Sequence, residues 1–429
     1  MRVRVMKLKK TSLAVAAALA LGSASAVHAE IGFKAGAWDL SFSGNVNGFL
    51  TRNSCDNSAA TVNGGLACNN AGGVKEVAIE SGQLPSALVF GAKSSQSGWD
   101  IGVTIGFYPG LNDSGTAGKT GLSTSTIDLR QNFLTFGDKT IGTIKVGKDI
   151  GLFGSDAILA DMTLLGVGSA GAFGGGNTTL GRIGVGYIYT DWIPQISYSS
   201  PKRGGFQYSA GLFQGVDAVS TPAGANSATL TAHEQPGLQA KGSYEWTGPV
   251  GGKAWVSGLS QKVKDRTPPG SSISGQAFDL GAKVNVADFE GVLYAYSGDG
   301  IGTEAIGFNA AAVVGGNLEK RKSKGGNVQG TYKFGKFKPG LSYGESSLDL
   351  ASNETNANLV KKNKSAVLGL YYSLTQSLNL VGEYIKTTAQ NQAGGENKDS
   401  VIALGAILFF WSDRTVKTAP FWRRFIFPP

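Results

Sequence analysis

The chain has 429 residues, 64 of them glycine, with 16% charged residues and a formal charge of +9. That length allows two or three ordinary domains or one very large β structure. The positive charge is terminal: 1–29 holds five basic residues and no acid, 411–429 holds four against one acid, and 30–410 carries 30 basic against 29 acidic residues. A body this close to neutral lacks the basic footprint that phosphate backbones require, which excludes nucleic acid as the partner.

The chain opens with MRVRVMKLKK, then the apolar run LAVAAALALG, then the small-residue site Val27-His28-Ala29. This order is a secretory leader, with cleavage expected after Ala29. Its apolar run falls short of the roughly 20 residues of a membrane-spanning helix, and Met6 is an equally good start. An exported protein meets an oxidising compartment. Cys55 and Cys68, both in a Ser/Asn/Gly-rich stretch, are therefore expected to close a local loop as a disulfide. A metal site would need further ligands, and no histidine lies nearby.

From residue 37 onward the hydropathy has period two, the mark of a strand with one apolar and one polar face. Trp38, Leu40, Phe42 and Val46 alternate with Asp39, Ser41, Ser43 and Asn45. Trp99, Ile101, Val103 and Ile105 alternate with Asp100, Gly102 and Thr104. Leu238, Tyr244 and Trp246 oppose Lys241 and Glu245, and Phe278, Leu280 and Val284 oppose Asp279 and Lys283. Residues 327–344 form a tight hairpin about Gly335-Lys336, with Val328, Tyr332, Leu341 and Tyr343 on one side and Lys333 and Lys338 on the other.

Sixteen such strands are expected, near 37–52, 84–94, 97–108, 127–138, 140–149, 185–200, 203–215, 235–247, 250–263, 274–286, 289–299, 326–335, 336–348, 362–374, 376–388 and 397–410. Their connections alternate strictly between short and long. A soluble sandwich has no reason for that sidedness. A transmembrane antiparallel β-barrel does: short turns at one membrane face, long loops at the other, apolar side chains toward lipid and polar ones toward a wet lumen. Aromatic residues at strand ends (Trp38, Trp99, Tyr244, Trp246, Tyr343) suit interfacial girdles. Alternation puts Asp39, Asp100, Lys241, Glu245, Asp279, Lys283, Lys333 and Lys338 on the lumen wall. The last strand, VIALGAILFF, ends on Phe410. The 411–429 tail has no period-two pattern and two terminal prolines, so it is read as an appended, unstructured segment after a 30–410 barrel.

At this point the chain resembles the general porins of Gram-negative outer membranes. The resemblance rests on RQNFLTFGDKTIGTIKVGKD (130–149) and on RIGVGYIYTDWIPQISYSSPKRGGFQYSAGLF (182–213). One stretch, Thr190-Asp191-Trp192, is extra to that pattern. The resemblance implies an outer-membrane homotrimer in contact with the lipid bilayer and lipopolysaccharide. It also implies a third loop folded into the barrel, whose acids face basic wall residues. On that basis Arg130, Lys148 and Arg182 are constriction cations, and alternation adds Lys145. The loop acids are Asp149, Asp156 and Asp161. Opposed charges across a narrow lumen orient dipolar solutes and filter ions.

Other signals carry less. GTAGKTG (115–121) lacks the first glycine of a phosphate loop, where Asp113 stands. SGDGIG (297–302) has the look of a calcium repeat but occurs once. GAFGGG (171–176) lacks the strand-to-helix setting of a dinucleotide site. EKRKSK (319–324) is a solvated loop face or a site for lipopolysaccharide phosphates. The expected function is passive diffusion of small hydrophilic solutes and ions, with no cofactor. A channel selective for anions, sugars or carboxylates is the alternative. A barrel enzyme, less expected, would have to be built on His233, the one histidine after the leader.

Overall fold

The computed structural model describes residues 31–410 apart from 59, 69–72, 114–124, 170–171, 174–176, 180, 218–230 and 266–269. The leader, the 411–429 tail, the whole 115–121 glycine run and four of the six residues of 171–176 lie outside these residues.

Alternating apolar residues build one closed antiparallel sheet. Its wall strands are β1 (Trp38–Cys55), β2 (Ala87–Gln96), β3 (Trp99–Asp113), β4 (Ser125–Asp138), β5 (Gly142–Ile150), β6 (Trp192–Ser199), β7 (Phe206–Phe213) and β8 (Gly237–Trp246). The ring continues with β9 (Val250–Asp265), β10 (Ser272–Val286), β11 (Phe289–Asp299), β12 (Lys322–Tyr332), β13 (Phe337–Leu348), β14 (Val360–Ser373), β15 (Leu378–Asn391) and β16 (Glu396–Phe410). Each pairs with its sequence neighbours, and β16 returns to β1 from Phe410↔Gly44 to Asp399↔Cys55. Sheet closure leaves no open edge, which hydrocarbon demands.

Val46, Leu50, Ile196, Leu280, Leu293, Leu341, Leu368 and Leu404 all face outward and are exposed. Tyr244 and Trp246 stack at 6.0 Å beside a short turn, as a girdle pair should. A short strand, Ile31–Ala35, adds to the outset of β1. Cys55 and Cys68 are joined by a disulfide, with 5.6 Å between their Cα atoms.

The seam is tight. A Cβ on Gly44 would stand 2.1 Å from the Ala87 carbonyl oxygen and 2.3 Å from Cζ of Phe410. Gly44→Val is therefore expected to block closure, seen as loss of the compact heat-modifiable band on electrophoresis. A variant that keeps that band would show the seam to be more tolerant than its geometry.

Two features depart from the sequence expectation. The strand expected at 185–200 begins only at Trp192. Residues before it are the returning limb of the third loop, bent by positive φ at Gly184, Gly186 and Asp191. Val185, Tyr187 and Ile188 are buried there inside the barrel, so their apolar pattern serves an internal core rather than lipid. The second departure is the inner wall itself. Val367, Tyr371, Val381, Ile385, Val401 and Ala403 point inward and pack with Phe49, Met162 and Val167. Across the barrel, Trp255, Tyr294 and Tyr296 pack with Phe153, Ala157, Ile188 and Ile301. The lumen thus holds apolar cores, with about 1.5–3 kcal/mol for each fully buried large side chain.

Candidate channel constriction

The third loop, 151–191, leaves β5 and crosses the barrel before rejoining β6. Wall side chains hold its backbone along the way. Gln239 Oε1 accepts from the amides of Leu152 (2.7 Å) and Phe153 (3.0 Å), and Asp279 Oδ2 accepts from Gly154 (2.8 Å). Gln329 accepts from the Met162 amide at 3.1 Å and donates to the Ala160 carbonyl at 2.5 Å. Glu383 Oε2 accepts from Val167 and Gly168, both at 2.9 Å. Ser346 Oγ accepts from Gly186 at 3.0 Å. These anchors lie on β8, β10, β12, β15 and β13, so the loop is tied around much of the lumen. Buried amides need such partners.

Within the loop, α1 (Ser155–Ala160) is almost wholly buried. Asp156, on its first turn, meets Lys241 at 3.0 Å and is also bonded to Lys253. Burial pushes the Asp156 carboxyl up, but the two ammonium groups outweigh it and hold it well below the ordinary range. Lys241 also donates to Ser155 Oγ at 2.9 Å. Lys253 was not among the sequence candidates, although its position on the inner face of β9, two residues before Trp255, was open to the same alternation argument.

The remaining candidates divide among several places. Asp149 is fully buried, bonded to Lys145 and accepting from Gln131 at 3.2 Å. Arg130 is the extra residue of a bulge between Gly106 and Phe107 of β3. It bonds Asp128 at 2.8 Å, reaches Asn177 of the loop at 3.4 Å and lies 5.4 Å over the Tyr108 ring. Asp161 accepts from Tyr187 at 2.6 Å, from Gln83 at 3.2 Å and from Thr163. Arg182 is buried and donates to the Ser365 carbonyl at 3.2 Å, within the electrostatic reach of Asp161 and Glu383. The acids and cations named from the sequence are therefore held in separate local groups. They do not form two ranks facing each other across one gap.

Lys148 is a correction. It pairs with Asn132 and Pro194, whose side chains are exposed, and alternates against Lys145 and Asp149. It stands on the outer face of the wall. Lys333 is another: it falls beyond the end of β12, exposed in the turn, where its amide donates to the Asp288 carbonyl at 3.0 Å. Asp279 is on the inner wall but covered by the loop, accepting from Ser257 (2.6 Å), Tyr294 (3.1 Å) and Gly154. Arg321 of the EKRKSK run is buried against Glu354 at 2.5 Å, so it is not offered to solvent.

Toward the short turns, Lys283 bonds Glu290 at 2.5 Å, with Lys338 on the same carboxylate at 3.7 Å. Glu245 pairs with Lys202 at 2.5 Å. Asp100 accepts from Ser95 at 2.9 Å, and Asp39 lies 3.7 Å from Lys34, both at the mouth. His233 has both ring nitrogens engaged, Nε2 with Asp217 at 3.0 Å and Nδ1 with the Lys262 carbonyl at 3.1 Å.

A closed barrel, apolar outside, with a loop held across its interior by polar wall side chains, is a transmembrane channel. A model of the Gram-negative porin family matches residues 13–406. The chain belongs to that family and is a diffusion channel of the outer membrane. No curated protein sequence matches it. Among solved structures, the outer membrane channel DcaP of Acinetobacter baumannii is 20% identical, with 89% of this chain and 100% of that one covered and a TM-score of 0.67. An anion-selective porin from Comamonas acidovorans is 14% identical over 87% of this chain and 100% of that one, at 0.57. In-vitro folded OmpT of Vibrio cholerae, in a trimer form, is 14% identical over 87% and 100%, at 0.50. At these identities the likeness is one of fold.

Proposed function

We propose that this porin prefers anions, and that the third loop with the inner wall forms its constriction. One observation carries the preference: in each of two inner-wall groups one carboxylate is bonded by two lysines. Asp156 lies between Lys241 and Lys253, and Glu290 between Lys283 and Lys338. The Glu290 group carries more cations than acids, and the Asp156 group has Asp279 beside it as well, both inside low-dielectric walls that focus their field. Arg130, Lys145, Asp149, Asp161 and Arg182 belong to the same constriction as locally bonded groups that brace the loop.

The engaged ring of His233 speaks against a hydrolase built on it. The proposal takes the working unit as a homotrimer, supported by the resemblance and by the trimer form of the OmpT neighbour. It takes the chain as a leader over 1–29, a barrel over 30–410 and an appended tail over 411–429, in contact with lipid and lipopolysaccharide.

The test is a planar bilayer under a potassium chloride gradient. A reversal potential on the chloride side, with conductance steps in threes, is the expected result. Reversal on the potassium side would overturn the anion preference.

A further inference from the structure

The first loop, between β1 and β2, enters the barrel as the third loop does. Inner-wall side chains hold its tip, residues 60–68, in the same way. Asn363 of β14 grips it twice, donating to the Gly64 carbonyl and accepting from the Leu66 amide, both at 3.0 Å. Asn391 of β15 donates to the Thr61 carbonyl at 2.9 Å, and Asn397 of β16 to the Ala60 carbonyl at 2.8 Å. These three asparagines share strand parity with Val367, Ile385 and Val401, which point inward. The tip also pairs with the chain between β13 and β14: Asn63 donates its amide to the Asn358 carbonyl and accepts from the Val360 amide, both at 2.8 Å. Buried backbone groups need such partners.

Apolar contacts close the seat. Val62 and Ala67 are buried with Leu348, Leu359, Val360 and Ala389. A Cβ on Gly64 would stand 2.4 Å from Nδ2 of Asn309 and 3.0 Å from Cγ1 of Val360, so glycine lets the tip lie between the 300–321 loop and the wall. Leu66 reaches the other way, its Cδ1 2.7 Å from the place of a Cβ on Gly184 in the third loop. The tip therefore joins the long-loop ends of β13 to β16, the 300–321 loop and the returning limb of the third loop. Its sequence, ATVNGGLAC, holds no charge. Cys68 ties it back to Cys55 at the end of β1. Cys68 holds a φ of 24°, which side chains other than glycine rarely adopt, so the disulfide rather than local preference fixes where the tip returns.

We propose that the first-loop tip is a second constriction, an outer size filter stapled in place by Cys55–Cys68. An uncharged insert limits width and leaves the choice of ion sign to the charged wall below it. Reduction releases the tip: a dithiol passes two electrons and two protons to the Cys55–Cys68 bond, leaving two thiols and the reagent's own closed disulfide. The inference rests on the channel function and is independent of the anion preference.

The test is single-channel recording on the full folded chain in a planar bilayer, with neutral polyethylene glycols of rising size to find the smallest one kept out. A variant lacking residues 60–67, with Cys55→Ser and Cys68→Ser, is expected to conduct about twofold more and to admit larger polymers, since passage follows pore width. Native protein treated with dithiothreitol, its freed thiols confirmed by alkylation and mass, is expected to move in the same direction. Reversal potential keeps its sign in both, because no charge is removed, so a failure of the anion preference would leave this result standing. An unchanged polymer limit in the deletion variant overturns the proposal. So does unchanged conductance after confirmed reduction, which needs no variant and carries the test even if the deletion prevents folding.

Discussion

Lys253→Glu is expected to shift the channel toward cations, and Asp156→Asn to shift it toward anions. Both outcomes follow from the same triad. In the native protein one carboxylate sits between Lys241 and Lys253. Exchanging Lys253 for an acid moves the group by two charges in the negative direction. The permeability ratio of chloride to potassium should fall on the order of tenfold, which needs only about 1.4 kcal/mol of altered ion energy. One lumen charge at an effective dielectric of about 20 supplies more than that. Removing the charge of Asp156 works in the other direction, leaving two ammonium groups against the loop. Breaking a buried pair by removing one partner costs about 3–5 kcal/mol, so this variant should also release α1 and raise current noise. Reversal potentials in planar bilayers read the first effect, and open-channel noise the second. Two variants with the same reversal potential as wild type would show that ions pass elsewhere.

Glu304 makes the barrel less stable in alkali. Its side chain is buried in the 300–321 loop, and Oε1 has no hydrogen-bond partner among the described residues. Three segments meet there. Oε1 lies 3.5 Å from where a Cβ on Gly64 would stand, and Cγ lies 2.8 Å from the corresponding position on Gly184. Tyr189 of the third loop donates its amide to the Glu304 carbonyl at 2.7 Å. Leu66 closes the pocket from the first loop, and Asn309 from its own. The hydroxyl of Tyr296 is the titratable neighbour on the wall, and it feels the charge. Burial alone pushes the Glu304 carboxyl up to about 8.

The folded state therefore keeps a proton that the unfolded chain releases near 4.5. Between these values the native state binds more protons, and stability falls as pH rises, by about 1.4 kcal/mol per unit. The loss is complete above about 8. Glu304→Gln removes it and flattens the profile. Thermal unfolding from pH 5 to pH 9 reads both curves. A slope that survives in Glu304→Gln would assign it to another group.

The wall was legible because lipid enforces it. One face of every strand must be apolar and every turn must fall on a fixed side, so alternation and connection length gave sixteen strands in the right order, most within three residues of their observed ends. The 289–299 strand coincides at both ends. The interior was less legible, since nothing periodic governs a loop folded inside a barrel. Val185, Tyr187 and Ile188 look like strand residues because an internal core and a lipid face ask for the same side chains. Lys148 was misplaced because resemblance was preferred to parity, and parity sends it outward. Lys253 was missed although parity allowed it. Polar inner residues such as Gln239, Gln329 and Glu383 gave no sign of their work. What they bind is backbone brought from far along the chain.

The inner core that holds the loop also sets an order of assembly. It joins Phe49 from the first wall strand, Met162 and Val167 from the third loop, and Val401 and Ala403 from the last strand. No partial ring can bury it, because its pieces come together only when the final strand arrives. Contacts this distant in sequence form late and slowly. Until then the unfinished barrel shows apolar surface on the side that should become its interior as well as on the side meant for lipid. A chain stalled before β16 is therefore sticky on both faces. That doubly apolar surface marks an unfinished barrel, and its burial beneath the loop marks a closed one.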